Sequence, residues 1–146
     1  MANAKALAEG LARRGARLVT GGTDNHIVLM DVAASYGLTG RQAEAALLAC
    51  GAVTKRNSVP GEPNGAWYTS GVRLGTPALT TLGLGPDEMD EVAAITTTAL
   101  GATTAASSPS GVSRAHYALE DPVATGCRTR CADLLAPFPL YPTVEL

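Results

Sequence analysis

The stretch HIVLMDVAASYGLTGRQAEAALLACG, residues 26–51, decides the fold class. Ile27, Val28, Leu29, Met30 and Val32 run almost without a polar break, which predicts a strand over 26–32 with both faces covered. Thr39-Gly40-Arg41-Gln42 has the form of a capping box and predicts that a helix starts there. Its inner face would be Ala43, Ala46, Leu47 and Cys50, with Gly51 closing it. Working outward, Ala4, Leu7, Ala8 and Leu11 recur at helical spacing over residues 3–14, and Arg17 to Thr20 reads as a short strand. Val53 to Asn57 reads as a third strand, and the prolines and glycines of residues 60–65 as a loop. Trp67 to Leu74 reads as extended, with Thr69, Gly71 and Arg73 on one side of the pleat. Gly85-Pro86-Asp87-Glu88 opens a further helix, with Met89, Val92 and Ala93 turned inward. Residues 101–113, built from Ala, Thr, Ser, Gly and Pro, offer little to bury, so 101–116 is expected to be a flexible surface segment with no function attached. Val123, Cys127, Cys131, Leu134 and Leu135 give a last helix, and Pro137, Pro139 and Pro142 an extended tail. Helices interleaved with short strands make the chain a small α/β or α+β domain.

The composition narrows the function classes. With 146 residues the chain suits one ordinary domain rather than a large self-contained enzyme. Charged residues are 16% and hydrophobic ones 46%, so part of the surface is expected to lie against a partner. A net charge of -2 offers no broad basic field, which disfavours nucleic acid. No apolar run is long enough for a membrane span and no secretory pattern opens the chain, so a cytoplasmic protein is expected. The 3 cysteines point away from a disulfide framework. Cys127 and Cys131 have the spacing of half a metal site, but Cys50, His26 and His116 are isolated in sequence, and buried apolar cysteines with no metal are the expectation.

Chemistry is best sought in Thr69-Ser70-Gly71-Val72-Arg73-Leu74-Gly75-Thr76-Pro77. An arginine among small and apolar strand residues, flanked by glycines, suits a carboxylate gripped by both prongs of the guanidinium. The alternative is an internal salt bridge to Asp24 or Asp31. His26, beside the turn Gly21-Gly22-Thr23-Asp24-Asn25, reads as structural, and Trp67 and Tyr68 as core packing rather than ligand stacking. No phosphate loop, nucleophile elbow or supported carboxylate pair is present, so no catalytic residue is assigned to this chain alone.

Several runs together resemble serine hydroxymethyltransferase. These are Asn3-Ala4-Lys5-Ala6-Leu7, Gly21-Gly22-Thr23-Asp24-Asn25-His26, Leu38-Thr39-Gly40, Arg56-Asn57-Ser58-Val59-Pro60 and residues 69–78, in that family's order. Residues 131–142 are similar to its last helix and tail. The resemblance implies the C-terminal small domain of a fold-type I pyridoxal-phosphate enzyme over residues 1–146. Residues 1–15 would be the connecting helix, 101–116 the flexible segment, and 119–146 the last helix and proline-rich tail. It implies that Arg73 binds the amino-acid substrate's carboxylate and that Asn57, with Ser58 at the loop edge, borders tetrahydrofolate. Gly61, Asn64 and Gly65 depart from the family's loop, and Lys55 stands where asparagine is common. The family's Thr-Thr-Thr-His-Lys segment, which carries the cofactor lysine, does not occur here.

These features lead to the expectation of a small subunit of a split hydroxymethyltransferase. A large chain would hold pyridoxal phosphate, and two large and two small chains would form one particle. The apolar face from Ala4 to Leu11 is expected to pack on that large chain. The competing expectations are a folate-independent threonine transaldolase or aldolase-type subunit, and a non-catalytic docking or regulatory domain.

Overall fold

In the computed structural model, which describes residues 1–109 and 111–140, the capping box is formed as its residue types require. The Thr39 hydroxyl accepts from the Gln42 amide at 3.2 Å, and Gln42 Oε1 accepts from the Thr39 amide at 2.9 Å. Helix α3 (Gly40–Ala49) follows, and Gly51 stands in the left-handed region at φ 88°. The remaining elements are α1 (Ala2–Arg13), β1 (Ile27–Asp31), α2 (Val32–Tyr36), β2 (Lys55–Asn57), α4 (Gly65–Tyr68), β3 (Gly71–Gly75), α5 (Pro77–Leu82), α6 (Pro86–Gly101), β4 (Thr104–Ser108), β5 (Gly111–Ala118) and α7 (Asp121–Leu135). Strands β1, β3 and β2 form an antiparallel sheet in the order β1-β3-β2, and β4 and β5 form a separate hairpin. The result is the small mixed α/β domain, with short antiparallel sheets packed against helices.

One face of the three-stranded sheet is the core. Val28, Met30, Val72 and Leu74 point into a cluster completed by Leu7 and Leu11 of α1, Ala43 and Leu47 of α3, and Met89, Ala93 and Leu100 of α6. Along β1, Val28 and Met30 are buried while Ile27, Leu29 and Asp31 are only partly so. The apolar run therefore covers one face of the sheet, not both as expected.

Helix α1 corrects a second expectation. Ala4, Leu7, Ala8 and Leu11 are 0 to 3% exposed within this chain and pack on its own α6. A Cβ on Gly10 would come 2.9 Å from Ala93 Cβ, which shows how closely the two helices approach. Asp90 of α6 ties the outer side by accepting from Arg13 at 2.7 Å and from Arg14 at 2.8 Å. Those hydrogen bonds, Arg14's first, hold the Asp90 carboxyl well below the usual carboxylate range.

Other differences are local. Residues 17–20 make only the single bridge Leu18 to Met30, because the chain turns at Thr20, whose hydroxyl donates to the Gly22 carbonyl at 2.6 Å. Residues 65–68 form one helical turn, not the start of a strand, and the strand proper begins at Gly71. The stretch 101–116 departs furthest from the sequence reading. It forms the hairpin β4–β5 instead of an irregular flexible segment, and Gln42 of α3 and Thr39, the helix's N-cap, hold it. Gln42 Nε2 donates to the Ser113 and His116 carbonyls, both at 2.7 Å, and the Thr39 hydroxyl donates to the Arg114 carbonyl at 2.8 Å. Helix α7 carries Cys127 into the core beside Cys50, at the end of α3. Burial, and then the neighbouring Cys127 thiol, push the Cys50 thiol up to about 11. Pro137 and Pro139 follow α7, whereas Pro142 lies outside the described residues. Among the described residues no helix is long and apolar enough to cross a membrane, and no group of three His, Cys, Asp or Glu is placed to hold a metal.

Candidate functional site

Antiparallel pairing places Leu29, Arg73 and Lys55 in one row across the sheet, with Asp31, Gly71 and Asn57 in a row two residues along. Val72 and Leu74 point into the core, so alternation turns Arg73 to the outer face, where it is exposed. Its guanidinium makes no ion pair or hydrogen bond among the described residues. The internal salt bridge is therefore not formed: Asp31 instead caps α2 by accepting from the Ala34 amide at 2.9 Å. Asp24 lies in the wall of a cavity of about 540 Å³ that residues 20–25 enclose with Ile27 and Leu29. Leu29, the cross-strand partner of Arg73, lines that cavity, and Arg73 itself does not.

The other end of the face is closed by the loop after β2. A Cβ on Gly71 would lie 2.8 Å from Val59 Cγ1 and 2.9 Å from the Asn57 carbonyl oxygen, so only glycine lets the loop lie this close. Glu62 pins the loop to the start of β3. Its Oε2 accepts from the Val59 amide at 3.1 Å and the Ser70 amide at 2.8 Å, and its Oε1 from the Asn64 amide at 2.8 Å and the Ser70 hydroxyl at 2.5 Å. Burial works to raise the carboxyl's pKa, but the Ser70 hydroxyl and the three amides outweigh it and hold it below the ordinary value.

Thr69, just before β3, has φ 57° and ψ 170°, a conformation that is costly for any residue with a Cβ. It is held there by α3, whose Gly40 amide donates to the Thr69 carbonyl at 3.0 Å. The Ser70 carbonyl then accepts from the Val32 and Ala33 amides at 3.0 and 3.1 Å, joining β3 to the start of α2. The strand carrying Arg73 is thus located from three sides.

Around the loop, Asn57 is half-buried and donates from Nδ2 to the Ser58 carbonyl at 2.8 Å, while Ser58 and Lys55 are exposed. Trp67 is 63% exposed, which corrects its reading as core packing. Arg41 and Arg56 lie 5.4 and 5.5 Å from its ring centre, and Arg56 is also paired with Glu44 at 3.0 Å. Arg114 lies 4.5 Å from the Tyr68 ring centre and donates to the Asn64 carbonyl at 2.7 Å. Sequence reasoning missed Arg41 and Arg114. Both reach the site through tertiary contacts that leave no local pattern. His26 is exposed, and its backbone carbonyl accepts from the Thr76 amide at 3.2 Å. A second cavity, of about 270 Å³, lies between β3, α6 and α7; its lining is mostly apolar and does not include Arg73.

The electrostatics of the face favour an anion. Lys55 and Arg73 are directly opposed like charges, a pairing that destabilises a sheet unless something negative lies between them.

The family model for serine hydroxymethyltransferase matches residues 1–96. The chain is 59% identical over 145 residues to a serine hydroxymethyltransferase of Cutibacterium acnes, covering 99% of this chain and 30% of that protein. It is 57% identical over 147 residues to one from Salinispora tropica, covering 100% of this chain and 30% of the relative. With one from Treponema pallidum it shares 47% identity over 144 residues, covering 98% of this chain and 25% of the relative. The chain therefore spans less than a third of the length of these curated relatives.

Proposed function

Because the chain belongs to the serine hydroxymethyltransferase family, we propose that it supplies the substrate-carboxylate site of such an enzyme, as the small subunit of a split protein. Its reaction is transfer of a hydroxymethyl unit between an amino acid and tetrahydrofolate. The observation that carries this reading is Arg73: exposed on the sheet face, without an acid partner among the described residues, on a strand whose start the Glu62 loop holds. A planar guanidinium so placed is free to take a carboxylate through two parallel charge-assisted bonds. Asn57 and Ser58, at the loop edge, are assigned to the folate.

Pyridoxal phosphate, which draws electrons from the bonds at an amino acid's α-carbon when bound, does not fit this chain by itself. The only two lysines, Lys5 and Lys55, are both exposed and line neither cavity described above. The cofactor is assigned to a large chain, in a cytoplasmic particle of two large and two small chains.

The test is to co-express this chain with a separate polypeptide corresponding to the rest of the Cutibacterium relative. A yellow complex that converts serine to glycine only when tetrahydrofolate is added is expected. Failure of the chains to associate overturns the split-subunit reading. Turnover independent of folate overturns the choice of acceptor in favour of a transaldolase-type exchange.

A further inference from the structure

The hairpin β4–β5 has no role in the reading above, yet it is tied to the start of α3 and reaches from there to the loop after β2. Gln42 and Thr39 hold the Ser113, Arg114 and His116 carbonyls. The Arg114 side chain then crosses to the loop. One guanidinium nitrogen donates to the Asn64 carbonyl at 2.7 Å and to Asn64 Oδ1 at 3.0 Å, and the group lies 4.5 Å from the Tyr68 ring centre. Asn64 passes the contact on. Its Nδ2 donates to the Ser70 hydroxyl at 2.9 Å, and its amide donates to Glu62, which also takes the Val59 amide beside Ser58. Helix α4, between Asn64 and Thr69, buries none of its residues, so no buried side chain fixes it. Its placement depends on arginines from other elements: Arg41 and Arg56 at Trp67, and Arg114 at Tyr68.

We infer that Arg114 is a positioning residue for the folate side of the site: from the hairpin it sets residues 58–68, the stretch that begins beside Asn57, and leaves the amino-acid side alone. This rests on the reading of Asn57 and Ser58 as the border of tetrahydrofolate and adds the element that places that border. Arg73 has its own supports, since Glu62 grips Ser70 and the Gly40 amide holds the Thr69 carbonyl. Loss of the Arg114 side chain therefore frees Asn64 and α4 while β3 stays in place. A ligand that binds one arrangement of a loop is weakened in proportion to the time the loop spends elsewhere.

The test reads the loop and the folate separately. Amide exchange followed by NMR on the 146-residue chain reports the loop. In Arg114→Ala the Asn64 and Thr69 amides should exchange about fivefold faster, less than loss of a buried bond to a charged group would give, while the β3 amides and Tm hold. In the two-chain complex the KM for tetrahydrofolate should rise about threefold or more, with kcat and the KM for serine unchanged. Arg114→Lys keeps the charge but has neither the planar fork nor its stacking surface, so it should recover part of the loop protection and part of the folate KM, both together. Unchanged exchange at Asn64 and Thr69, an unchanged folate KM, or an equal rise in both KM values overturns this inference alone. So does full recovery of the folate KM in Arg114→Lys with the loop still loose, which would make Arg114 a charge that attracts folate directly. Chains that do not associate, or a wild-type complex that turns over without tetrahydrofolate, overturn the proposed function and with it the inference that rests on it.

Discussion

Glu62→Gln removes one charge at the point where the loop meets β3 and keeps the side chain's size. If the new amide nitrogen takes the Oε2 place, it faces the Val59 and Ser70 amides, donor against donor. If it takes the Oε1 place, only the Asn64 amide is left unmet, because the Ser70 hydroxyl can turn to accept. The second orientation is cheaper and still strands one amide, at about 1 to 3 kcal/mol, while the remaining bonds lose their charge assistance. The total is about 3 kcal/mol at pH 7. For a domain of this size that lowers Tm by about 10 °C. Urea unfolding followed by fluorescence of Trp67, the single tryptophan, reads stability and loop order together. The pH dependence has a defined sign. The folded carboxyl lies below its ordinary value of 4.5, so its stabilisation is complete above pH 4.5 and disappears as pH falls through the lower folded value. Wild type and variant should therefore converge in acid. Equal stability at pH 7, or a difference that grows in acid, refutes the assignment of Glu62 as the loop's anchor.

Gly40→Ala drives a Cβ into Thr69 Oγ1 and to 2.5 Å from the Gly71 carbonyl oxygen, so circular dichroism should show a loss of about 3 kcal/mol or failure to fold. Leu11→Ala should cost about 3 kcal/mol in urea melts of the chain alone, because Leu11 lies in this chain's own core. A cost that appears only when a partner chain is bound would contradict that. Gln42→Ala removes both side-chain bonds to the hairpin, so hydrogen exchange over residues 104–118 should quicken while α6 stays protected.

Legibility followed how local the determining interaction is. The capping box, the proline and acids opening α6, and the helical spacing of α1 and α7 each act within one or two turns, and those elements stand close to where their residues predict. Helices α2, α4 and α5 are 4 to 6 residues long, too short for a periodic signal, and tertiary bonds such as those from the Ser70 carbonyl to the Val32 and Ala33 amides fix where they begin. The hairpin is the clearest case of the opposite kind. Its small residues announce no core, and what holds it includes Thr39 and Gln42, some 70 positions away in the chain. At the site, Arg73 stood out because a charge among apolar strand residues is anomalous in itself. Arg41, Arg114 and the exposure of Trp67 depend on how α3, the hairpin and the loop meet. No single stretch of sequence contains that information.

The central claim is that Arg73 holds the substrate's carboxylate. Its most direct test is the dissociation constant for glycine in the assembled two-chain complex, measured for wild type and Arg73→Ala with Tm recorded alongside. Losing one partner of a charged pair is worth about 2 kcal/mol or more, so glycine should bind about thirtyfold or more weakly while assembly and Tm hold. Arg73→Lys, which keeps the charge and loses the fork, should recover only part of the loss. Unchanged glycine affinity in an intact Arg73→Ala complex would contradict the account, as would lost assembly with normal affinity in what remains.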